Sequence, residues 1–397
     1  MLEMTMNATH ADLSAAFAPV PDTRSRVEAF IATTRFDGPT LVLDTDRVED
    51  QYRALAAGLG HAHIHYAVKA NPAPQIIDRL IALGSHFDAA SRGEIALCLS
   101  RGARPDSISY GNTVKRAEDI AFAHRAGLTL FAADAVEELD KIADNAPGAR
   151  VYIRLLVEAS GADWPLTRKF GCDPAQAQVL MAHARARGLS PVGLSFHVGS
   201  QTRDPAMWAP VLDVVADTWH AARANGFPLD LLNIGGGFPA FYGQAIAHPT
   251  DYAAAVIAQV TDRFGAVPRL MAEPGRGLVA EAGAIAAEVL LVSRKSDTDL
   301  CRWVYLDIGK FSGLAETIDE AIRYQFVTPR DGDPTGPCIL AGPSCDSADV
   351  LYEKRPIALP ETLRAGDRVI IRNAGAYTSS YASVGFNGFP PLDVVVI

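Results

Sequence analysis

The sequence predicts an α/β protein in which a (β/α)8 barrel is followed by a smaller domain of β-strands. Eight short β-rich segments recur between residues 63 and 272, and segments of helical composition separate them. Strands that alternate with helices indicate a parallel sheet, and eight repeats in about 210 residues match a closed barrel in size. From about residue 280 the chain changes to short strands and turns rich in glycine and proline, which indicates a second domain.

Each barrel element is predicted from its own pattern. Short apolar runs place the eight strands at His63–Val68, His86–Ala89, Ser107–Tyr110, Thr129–Ala132, Val151–Val157, Val192–Val198, Leu231–Ile234 and Arg269–Ala272. Apolar residues at helical spacing place helices at Ala73–Leu83, Gly93–Arg101, Lys115–Ala126, Ala135–Ala143, Ala175–Arg187, Pro205–Ala224 and Thr250–Phe264. Glycine ends several of these helices, as at Gly84, Gly102 and Gly127, which is typical of a helix C-terminus.

The remaining strands define the second domain. They are predicted at Ala284–Ser293, Trp303–Ile308, Cys338–Ala341, Arg368–Arg372 and Leu392–Ile397. The segment Thr40–Asp44, which precedes the barrel, also has the composition of a strand. We therefore expect a barrel over residues 43–278 and a β domain over residues 279–397, to which residues 1–42 also contribute.

Composition and charge favour a globular enzyme and argue against nucleic-acid binding. The 397 residues are 49% apolar and carry a net charge of −10, whereas nucleic-acid-binding proteins need a basic surface. No apolar run reaches the roughly 18 residues of a membrane span, and charges throughout the first 40 residues are unlike a secretory signal. The five cysteines are an odd number without CxxC spacing, which does not suggest a disulfide framework. We expect a cytoplasmic protein with no membrane or nucleic-acid partner.

Polar and glycine-rich groups follow the predicted strands at the point where each strand ends. These groups are Lys69, Asp88, Arg154, His197, Gly235–Gly237 and Glu273–Arg276. In a barrel the carboxyl ends of all eight strands meet at one rim, which is where active sites of this fold lie. The sequence therefore predicts that these residues form a single site.

Lys69 is the candidate nucleophile of this site. Period-two alternation places Ala67 and Lys69 on one face of the first strand. A desolvated lysine amine can form a Schiff base with a carbonyl compound, although a lone lysine at this place could simply have reached solvent. The other groups at the rim favour the Schiff-base interpretation.

The glycines and the acidic residue suggest a phosphorylated cofactor. Gly235–Gly237 and Gly275–Gly277 offer backbone N–H groups to an anion, and phosphate sites after strands 7 and 8 recur in this fold, although three glycines alone could be a tight turn. Glu273 needs a cationic partner, which could be a protonated pyridine nitrogen or Arg276. His197 could stack on a cofactor ring or be a hydrogen-bonded core residue.

A metal site is not expected. The triplet His61, His63 and His65 has the spacing of a metal-binding face. It lies at the entry end of the first strand, opposite the rim that carries the other polar groups, and metal ligation there would need a further carboxylate or water ligand.

At this point the sequence resembles the fold-type III pyridoxal-phosphate decarboxylases, which act on ornithine, lysine, arginine or diaminopimelate. The matching segments occur in family order at Tyr66–Pro72, Phe87–Glu94, Phe196–Gln201, Asn233–Pro239, Glu273–Arg276, Gly342–Asp349 and Gly375–Tyr377. The resemblance extends from about residue 36 to the end. It implies the alanine-racemase-like fold, in which a TIM-like barrel carries a C-terminal β-sandwich or β-barrel domain, and it implies pyridoxal 5′-phosphate as the cofactor.

The resemblance also implies a role for each site residue. Lys69 would hold the cofactor covalently, Glu273 would pair with the pyridine nitrogen, and His197 would stack on the ring, while Asp88 and Arg154 would shape the site. The groups that would bind the cofactor's phosphate are Ser200, Gly237, Gly275, Arg276 and Tyr377, and Gly236 would also contact the cofactor.

A second set of implied roles concerns the substrate and a homodimer with shared sites. Cys345 would protonate the substrate carbon after decarboxylation, Asp346 would bind the distal amine, and both would enter the neighbouring subunit's site. Further residues near the substrate or the dimer interface are Phe386, Tyr324, Glu316, Asp319, Lys169 and Asp349. Lys169 and Asp349 match a pair that bridges the interface, and Phe386 matches a residue near the substrate tail.

The substrate is expected to be L-ornithine, giving putrescine for polyamine biosynthesis, with L-lysine as a second candidate that would give cadaverine. Diaminopimelate enzymes usually carry glutamate after this cysteine, whereas Asp346 resembles the ornithine or lysine type. Relatives of the animal type have a second acidic residue where this chain has Gln325, so Glu316 or Asp319 could act instead. The alternatives are a lysine- or diaminopimelate-type decarboxylase, an alanine-racemase-like enzyme, and a non-catalytic regulatory homologue.

Overall fold

The structure, a computed structural model, describes residues 25–158 and 169–397. The described chain begins with helix α1 (Arg26–Thr33), strand β1 (Thr40–Leu43) and helix α2 (Thr45–Leu59). Ser25 caps α1 and Asp44 caps α2, each by accepting a hydrogen bond from a backbone N–H of the first turn. These two caps explain why both helices begin where they do.

Eight parallel strands then form a closed barrel, which confirms the predicted fold class. The strands are β2 (His63–Ala67), β3 (His86–Ala89), β4 (Ile108–Tyr110), β5 (Leu130–Ala133), β6 (Arg150–Arg154), β7 (Ser190–Ser195), β8 (Leu231–Asn233) and β9 (Arg269–Ala272). They are nearly continuous in buried residues, because the barrel interior covers one face and helices cover the other. Every predicted strand is present, with ends displaced by at most a few residues.

Helices surround the barrel. They are α3 (Pro74–Ala82), α4 (Arg92–Ser100), α5 (Ala117–Arg125), α6 (Val136–Asn145), α7 (Pro174–Ala186), α8 (Ala209–Ala224), α9 (Pro249–Phe264) and the short α10 (Arg276–Val279). Helix α3 shows the common pattern: Ile76, Ile77 and Leu80 are buried against the strands, and proline occupies the first turn. No helix in the described ranges is long and apolar enough to cross a membrane.

The barrel interior is filled by side chains and is not a channel. A cluster of inward-facing residues forms its floor: Leu130, Ala132, Tyr152, Leu231 and Met271. Such layers are the usual interior of this fold. Residues that follow them toward the carboxyl ends of the strands therefore face a space that opens at the rim.

The second domain is a nine-stranded mixed sheet. Besides β1 it contains β10 (Gly283–Ser293), β11 (Arg302–Leu306), β12 (Gln325–Val327), β13 (Thr335–Ala341), β14 (Val350–Leu351), β15 (Ile357–Pro360), β16 (Arg368–Arg372) and β17 (Asp393–Val396). The long strand β10 is antiparallel to its neighbours β1, β11 and β16. The sequence analysis did not predict β12, β14 and β15, which are two to four residues long and lack the flanking helical segments that mark barrel strands of similar length.

The segment before the barrel belongs to this sheet. Strand β1 pairs with β10 and runs parallel to β17. Val27 and Ile31 of α1 pack with Val42, Ala284 and Ala286 in a separate apolar cluster. The part of the expectation that concerns residues 1–24 lies outside the described residues.

Candidate active site

A cavity of about 390 Å³ opens at the carboxyl end of the barrel. The structure brings together there every residue that the resemblance assigned to the cofactor. These residues are Lys69, Asp88, Arg154, His197, Ser200, Gly236, Gly237, Glu273, Gly275, Arg276 and Tyr377. Glu316, from the second domain, also lines this cavity. The prediction that the strand ends form one site is therefore correct for the geometry.

Strand alternation explains why the polar side chains point into the cavity. Arg154, Asn233 and Glu273 each follow by two positions a member of the apolar floor cluster. Since side chains two apart lie on the same face of a strand, these three continue the inward face to the rim. Along three strands the inward face thus changes from apolar to polar within two residues.

Lys69 and Asp88 form the first pair of the site. Lys69 lies in the 3-10 turn Val68–Ala70 directly after β2, and its Nζ is 3.2 Å from Asp88 Oδ2. Loss of water around the amine acts to lower the pKa of Lys69, but the charges of Asp88, Tyr377 and Glu273 outweigh it and raise that pKa. The amine is therefore protonated in this arrangement, because Asp88 stabilises its positive charge, and it must lose this proton before it can act as a nucleophile.

Gly111 and an unsatisfied oxygen define the surroundings of Asp88. The carboxylate is buried, and no donor among the described residues reaches Asp88 Oδ1. A Cβ atom at Gly111 would lie 1.8 Å from that oxygen. Only glycine leaves room for the carboxylate here, and Oδ1 stays buried without a hydrogen-bond donor among the described residues.

Glu273 is the second acidic group and lies directly after β9. Its Oε1 accepts a hydrogen bond from Asn233 Nδ2, whose side chain is buried beside it. Burial, followed by the negative charge of Asp88, raises the pKa of Glu273 to about 7. A cation placed against this carboxyl group would strongly stabilise its charged form.

His197 is neutral. Burial, assisted by the charges of Arg154 and Lys69, lowers the pKa of His197 to about 3. Its Nδ1 accepts a hydrogen bond of 3.0 Å from the N–H of Gly199, so the ring proton is on Nε2. The ring is thus a flat, uncharged surface facing the cavity, as a stacking partner requires.

Arg276 is the most fully bonded group of the site. It forms a two-point ion pair with Glu316, with N–O distances of 2.6 and 2.7 Å, and both side chains are buried. Ser200 Oγ and Tyr242 OH accept its remaining N–H groups at 3.1 to 3.2 Å. Arg276 is therefore not the partner of Glu273, which leaves that carboxyl for a cation from a ligand.

Three glycines leave open space between these groups. A Cβ at Gly236 would lie 3.0 Å from His197 Nε2, and one at Gly275 would lie 3.1 Å from Tyr377 OH. Gly237 has φ +106°, which side-chain-bearing residues rarely adopt. The backbone can approach a ligand closely here, as an anion-binding loop requires.

Comparison with known proteins identifies the family. Residues 45–280 match the family model described as pyridoxal-dependent decarboxylase, pyridoxal binding domain. The chain belongs to the pyridoxal-dependent decarboxylases. It is 33% identical over 365 residues to the lysine/ornithine decarboxylase of Selenomonas ruminantium, with 92% of this chain and 91% of that protein covered.

Two solved decarboxylase structures show the same fold. The lysine/ornithine decarboxylase of Vibrio vulnificus complexed with cadaverine is 33% identical with a TM-score of 0.82, and the match covers 94% of this chain and 97% of that one. The Paramecium bursaria Chlorella virus arginine decarboxylase bound to agmatine is 27% identical with a TM-score of 0.83, over 93% of this chain and 100% of that one. The predicted fold type, cofactor and decarboxylase class are confirmed.

The residues of this decarboxylase fit pyridoxal phosphate. The amine of Lys69 can condense with the aldehyde of the cofactor. The neutral ring of His197 offers a stacking surface, and the glycine loops offer N–H donors to the phosphate. The Glu273 carboxyl, whose pKa is raised by burial, is the place where a bound cationic ring would stabilise a charge that burial disfavours.

The predicted substrate residues lie mostly outside the cavity. Cys345 is exposed, and its backbone N–H and Sγ contact Asn387 Oδ1 at 3.0 and 3.4 Å. Asp346 accepts a hydrogen bond from the N–H of Ala348, and Phe386 packs on Phe311 with ring centroids 4.8 Å apart. None of the three predicted residues lines the cavity of its own chain.

Asp319 and Tyr324 also lie outside the cavity of their own chain. The side chain of Asp319 is 84% exposed and pairs with Lys354, because a kink at residues 318 and 319 turns it away from the cavity. Tyr324 is buried behind the cavity wall and packs edge-on against Tyr242. Neither residue is placed to contact a substrate within this chain.

The two predicted interface residues are differently placed. Lys169 is exposed, and its Nζ lies 4.9 Å from the ring centroid of Phe170. Asp349 is buried in its own loop, where its carboxylate accepts hydrogen bonds from the N–H of Lys310 and from the N–H and hydroxyl of Ser344. Within one chain, Asp349 therefore orders the loop that carries Cys345.

The sequence analysis missed several residues of the site, and three of them have a clear structural role. Asn233 binds Glu273, Gly111 makes room for Asp88, and Tyr242 binds Arg276. Asn233 stands in a segment that matches the family, next to the glycine loop, and its inward register could have been read from strand alternation. Tyr242 carries no such signal, since it lies in an irregular segment.

Proposed function

We propose that this decarboxylase converts L-ornithine to putrescine in the cytoplasm, as a step of polyamine biosynthesis, with L-lysine as a second substrate that yields cadaverine. The family and its relatives support a basic amino acid, and the finer assignment rests on the loop that carries Cys345 and Asp346. An ammonium tail needs an acidic partner to offset its desolvation, and aspartate at this place resembles the ornithine and lysine type.

The observation that carries the proposal is the grouping of Lys69, Asp88 and Glu273 in one cavity with Arg276. Lys69, His197 and the glycine loops would hold pyridoxal phosphate, with Arg276 at its phosphate. When bound, the cofactor supplies an electron sink for the electron pair that remains as CO2 departs.

The chain's own groups prepare the site for that chemistry. Asp88 Oδ2, at 3.2 Å, holds the protonated amine of Lys69 in place, and the amine must lose its proton before it can act as a nucleophile. The Glu273 carboxyl, held by Asn233, provides a fixed negative charge wherever a cation faces it. The neutral ring of His197 adds no positive charge that would oppose such a cation.

We further propose a homodimer in which the loop of one copy completes the site of the other. Cys345 and Asp346 do not line the cavity of their own chain, although the resemblance assigns both to the substrate. Large apolar side chains beside this loop are exposed: Val384 is 85% exposed, and Phe386 and Phe389 are each 37% exposed. Such a surface is suited to burial against a second copy.

Steady-state kinetics on four substrates test the substrate assignment. We expect CO2 release from ornithine and lysine, with kcat/KM for ornithine the larger, and much lower values for arginine and diaminopimelate. Asp346→Asn should raise KM for both diamino acids while the affinity for pyridoxal phosphate stays unchanged. Absence of CO2 release from both ornithine and lysine would contradict the proposal.

Mixing two inactive variants tests the shared site. Lys69→Ala and Cys345→Ala should each be inactive or severely impaired, for different reasons. If one copy supplies Lys69 and the other Cys345, mixed dimers contain one intact site and recover activity. Borohydride reduction followed by digestion should place the cofactor on the Lys69 peptide in Cys345→Ala and on no peptide in Lys69→Ala.

A further inference from the structure

We propose that Glu316 is the internal counterion of the phosphate-binding Arg276 and is not a contact for the distal amine of the substrate. The inference rests on the proposed function in one respect, since it takes Arg276 to bind the cofactor's phosphate. It replaces the expectation that Glu316 stands in for the second acidic contact of other relatives.

The hydrogen-bond inventory of Arg276 leads to this assignment. A guanidinium group has five N–H donors in a fixed plane. Nη1 donates to Glu316 Oε2 and Tyr242 OH, Nη2 donates to Glu316 Oε1 and Ser200 Oγ, and Nε donates to Ser200 Oγ. All five donors are engaged, so a phosphate can bind only by displacing one partner.

The partner that a phosphate would displace is Ser200. It is a neutral hydroxyl, partly exposed, and it accepts two N–H groups of one guanidinium edge at 3.1 and 3.2 Å. Glu316 is charged and buried, and it binds the other edge with two N–O distances of 2.6 and 2.7 Å. An anion entering the cavity would therefore take the Nε–Nη2 edge, while the ion pair stays intact.

This placement leaves Glu316 unsuited to a substrate amine. Both carboxylate oxygens already accept a hydrogen bond from Arg276, and the side chain is 5% exposed. Turning toward a second cation would leave Arg276 as an uncompensated buried charge, which is strongly unfavourable. The pair also joins the barrel, which provides Arg276, to the second domain, which provides Glu316 in its 3-10 segment Ala315–Glu320.

The charge balance predicts how the site responds when Glu316 is neutralised. In Glu316→Gln, Arg276 keeps its geometry but lacks a counterion, so the ligand-free protein is less stable. A bound phosphate then supplies the missing negative charge and no longer meets a carboxylate on the far edge of the guanidinium. Anions should therefore bind the variant more tightly than the wild type.

The experiment measures anion binding separately from turnover, on the full-length chain. The thermal midpoint of Glu316→Gln should be lower than that of the wild type and should rise more steeply with inorganic phosphate. The dissociation constant of pyridoxal phosphate should fall by about tenfold, whereas that of pyridoxal, which lacks the phosphate, should not change. Glu118→Gln, which removes a carboxylate from an exposed pair with Arg116, is the matched control and should behave as the wild type.

Turnover distinguishes the two roles of Glu316. With saturating cofactor, KM for ornithine and lysine in Glu316→Gln should stay within about threefold of the wild type, because the substrate amine does not contact this residue. A rise of about tenfold in both KM values with unchanged phosphate affinity would overturn the inference and assign Glu316 to the substrate. Weaker phosphate binding in the variant would overturn it as well. Glu316 would then matter more for orienting Arg276 than for the negative charge that it places beside it.

A double variant keeps the inference testable if Glu316→Gln does not fold. Arg276→Gln combined with Glu316→Gln removes both charges, so it should be more stable than Glu316→Gln and should lose the response to phosphate. Equal instability of the double and single variants would show that the two charges are not coupled. Absence of CO2 release from every basic amino acid would contradict the proposed function. It would leave the inference about Glu316 testable, because the phosphate measurements need no turnover.

Discussion

The pKa of Glu273 makes the stability of the cofactor-free chain depend on pH. Burial and the charge of Asp88 raise this pKa from the ordinary value of 4.5 to about 7. The folded protein therefore binds a proton more tightly than the unfolded chain does. The resulting stabilisation is fully present below pH 4.5 and is lost as the pH rises through about 7.

The size of the effect follows from the two pKa values. A difference between 4.5 and about 7 corresponds to about 3 kcal/mol in the free energy of unfolding, as an upper figure because the carboxyl is only partly enclosed. Glu273→Gln keeps an oxygen that can accept the hydrogen bond from Asn233 but cannot titrate. As the pH rises from 5 to 8, the free energy of unfolding of the variant should therefore increase by up to about 3 kcal/mol relative to that of the wild type.

Urea unfolding of both proteins at several pH values, followed by fluorescence, measures this difference directly. Glu118→Gln, which changes an exposed carboxylate, should show a difference from the wild type that does not vary with pH in this range. Pyridoxal phosphate should reverse the ranking at pH 8, because a cationic ring facing Glu273 stabilises the charged carboxylate. A difference between Glu273→Gln and the wild type that stays constant from pH 5 to pH 8 would refute the reasoning.

Two further predictions, one with a control substitution, concern the packing beside Asp88 and a buried ion pair. Gly111→Ala places a Cβ 1.8 Å from Asp88 Oδ1, so it should displace the carboxylate, lower kcat and cost about 1–3 kcal/mol in unfolding free energy. Gly38→Ala, where no atom lies within 4 Å of the added Cβ, should leave both measurements unchanged. Lys115→Met removes a fully buried amine that is 2.9 Å from Glu138 and should cost about 3 kcal/mol in urea unfolding; a loss near zero would show that this buried pair does not support the fold.

Local sequence patterns were sufficient for the barrel and for the positions of the site residues along it. The strands predicted at His86–Ala89 and Arg269–Ala272 have the bounds that the structure shows. Short apolar runs between helices with glycine ends are a local signal, and the parallel barrel follows from their alternation. Because the carboxyl ends of all barrel strands meet at one rim, the order of residues along the chain already predicted a common site for Lys69, Asp88 and Glu273.

The same local patterns were insufficient for the short strands of the second domain and for Asp319. Strands β12, β14 and β15 are held by their neighbours in the sheet, and they lack the alternation with helices that identified barrel strands of similar length. Asp319 stands three residues after Glu316, yet a kink between them sends one side chain into solvent and the other into the cavity. Both residues lie in the same short stretch of sequence, and that stretch alone does not show that the backbone turns between them.

The sequence by itself determined the fold class and the residues that meet at the barrel rim, because both follow from local periodicity, while the resemblance of its motifs to a known family implied the family and the cofactor. The tertiary structure alone decided which of those residues are partners. Arg276 pairs with Glu316 of the other domain, Asp88 depends on Gly111, and Cys345 lies outside the cavity of its own chain. Such pairings depend on how separate segments pack in space, where burial makes each unpaired charge costly, and no periodicity along the chain encodes that choice.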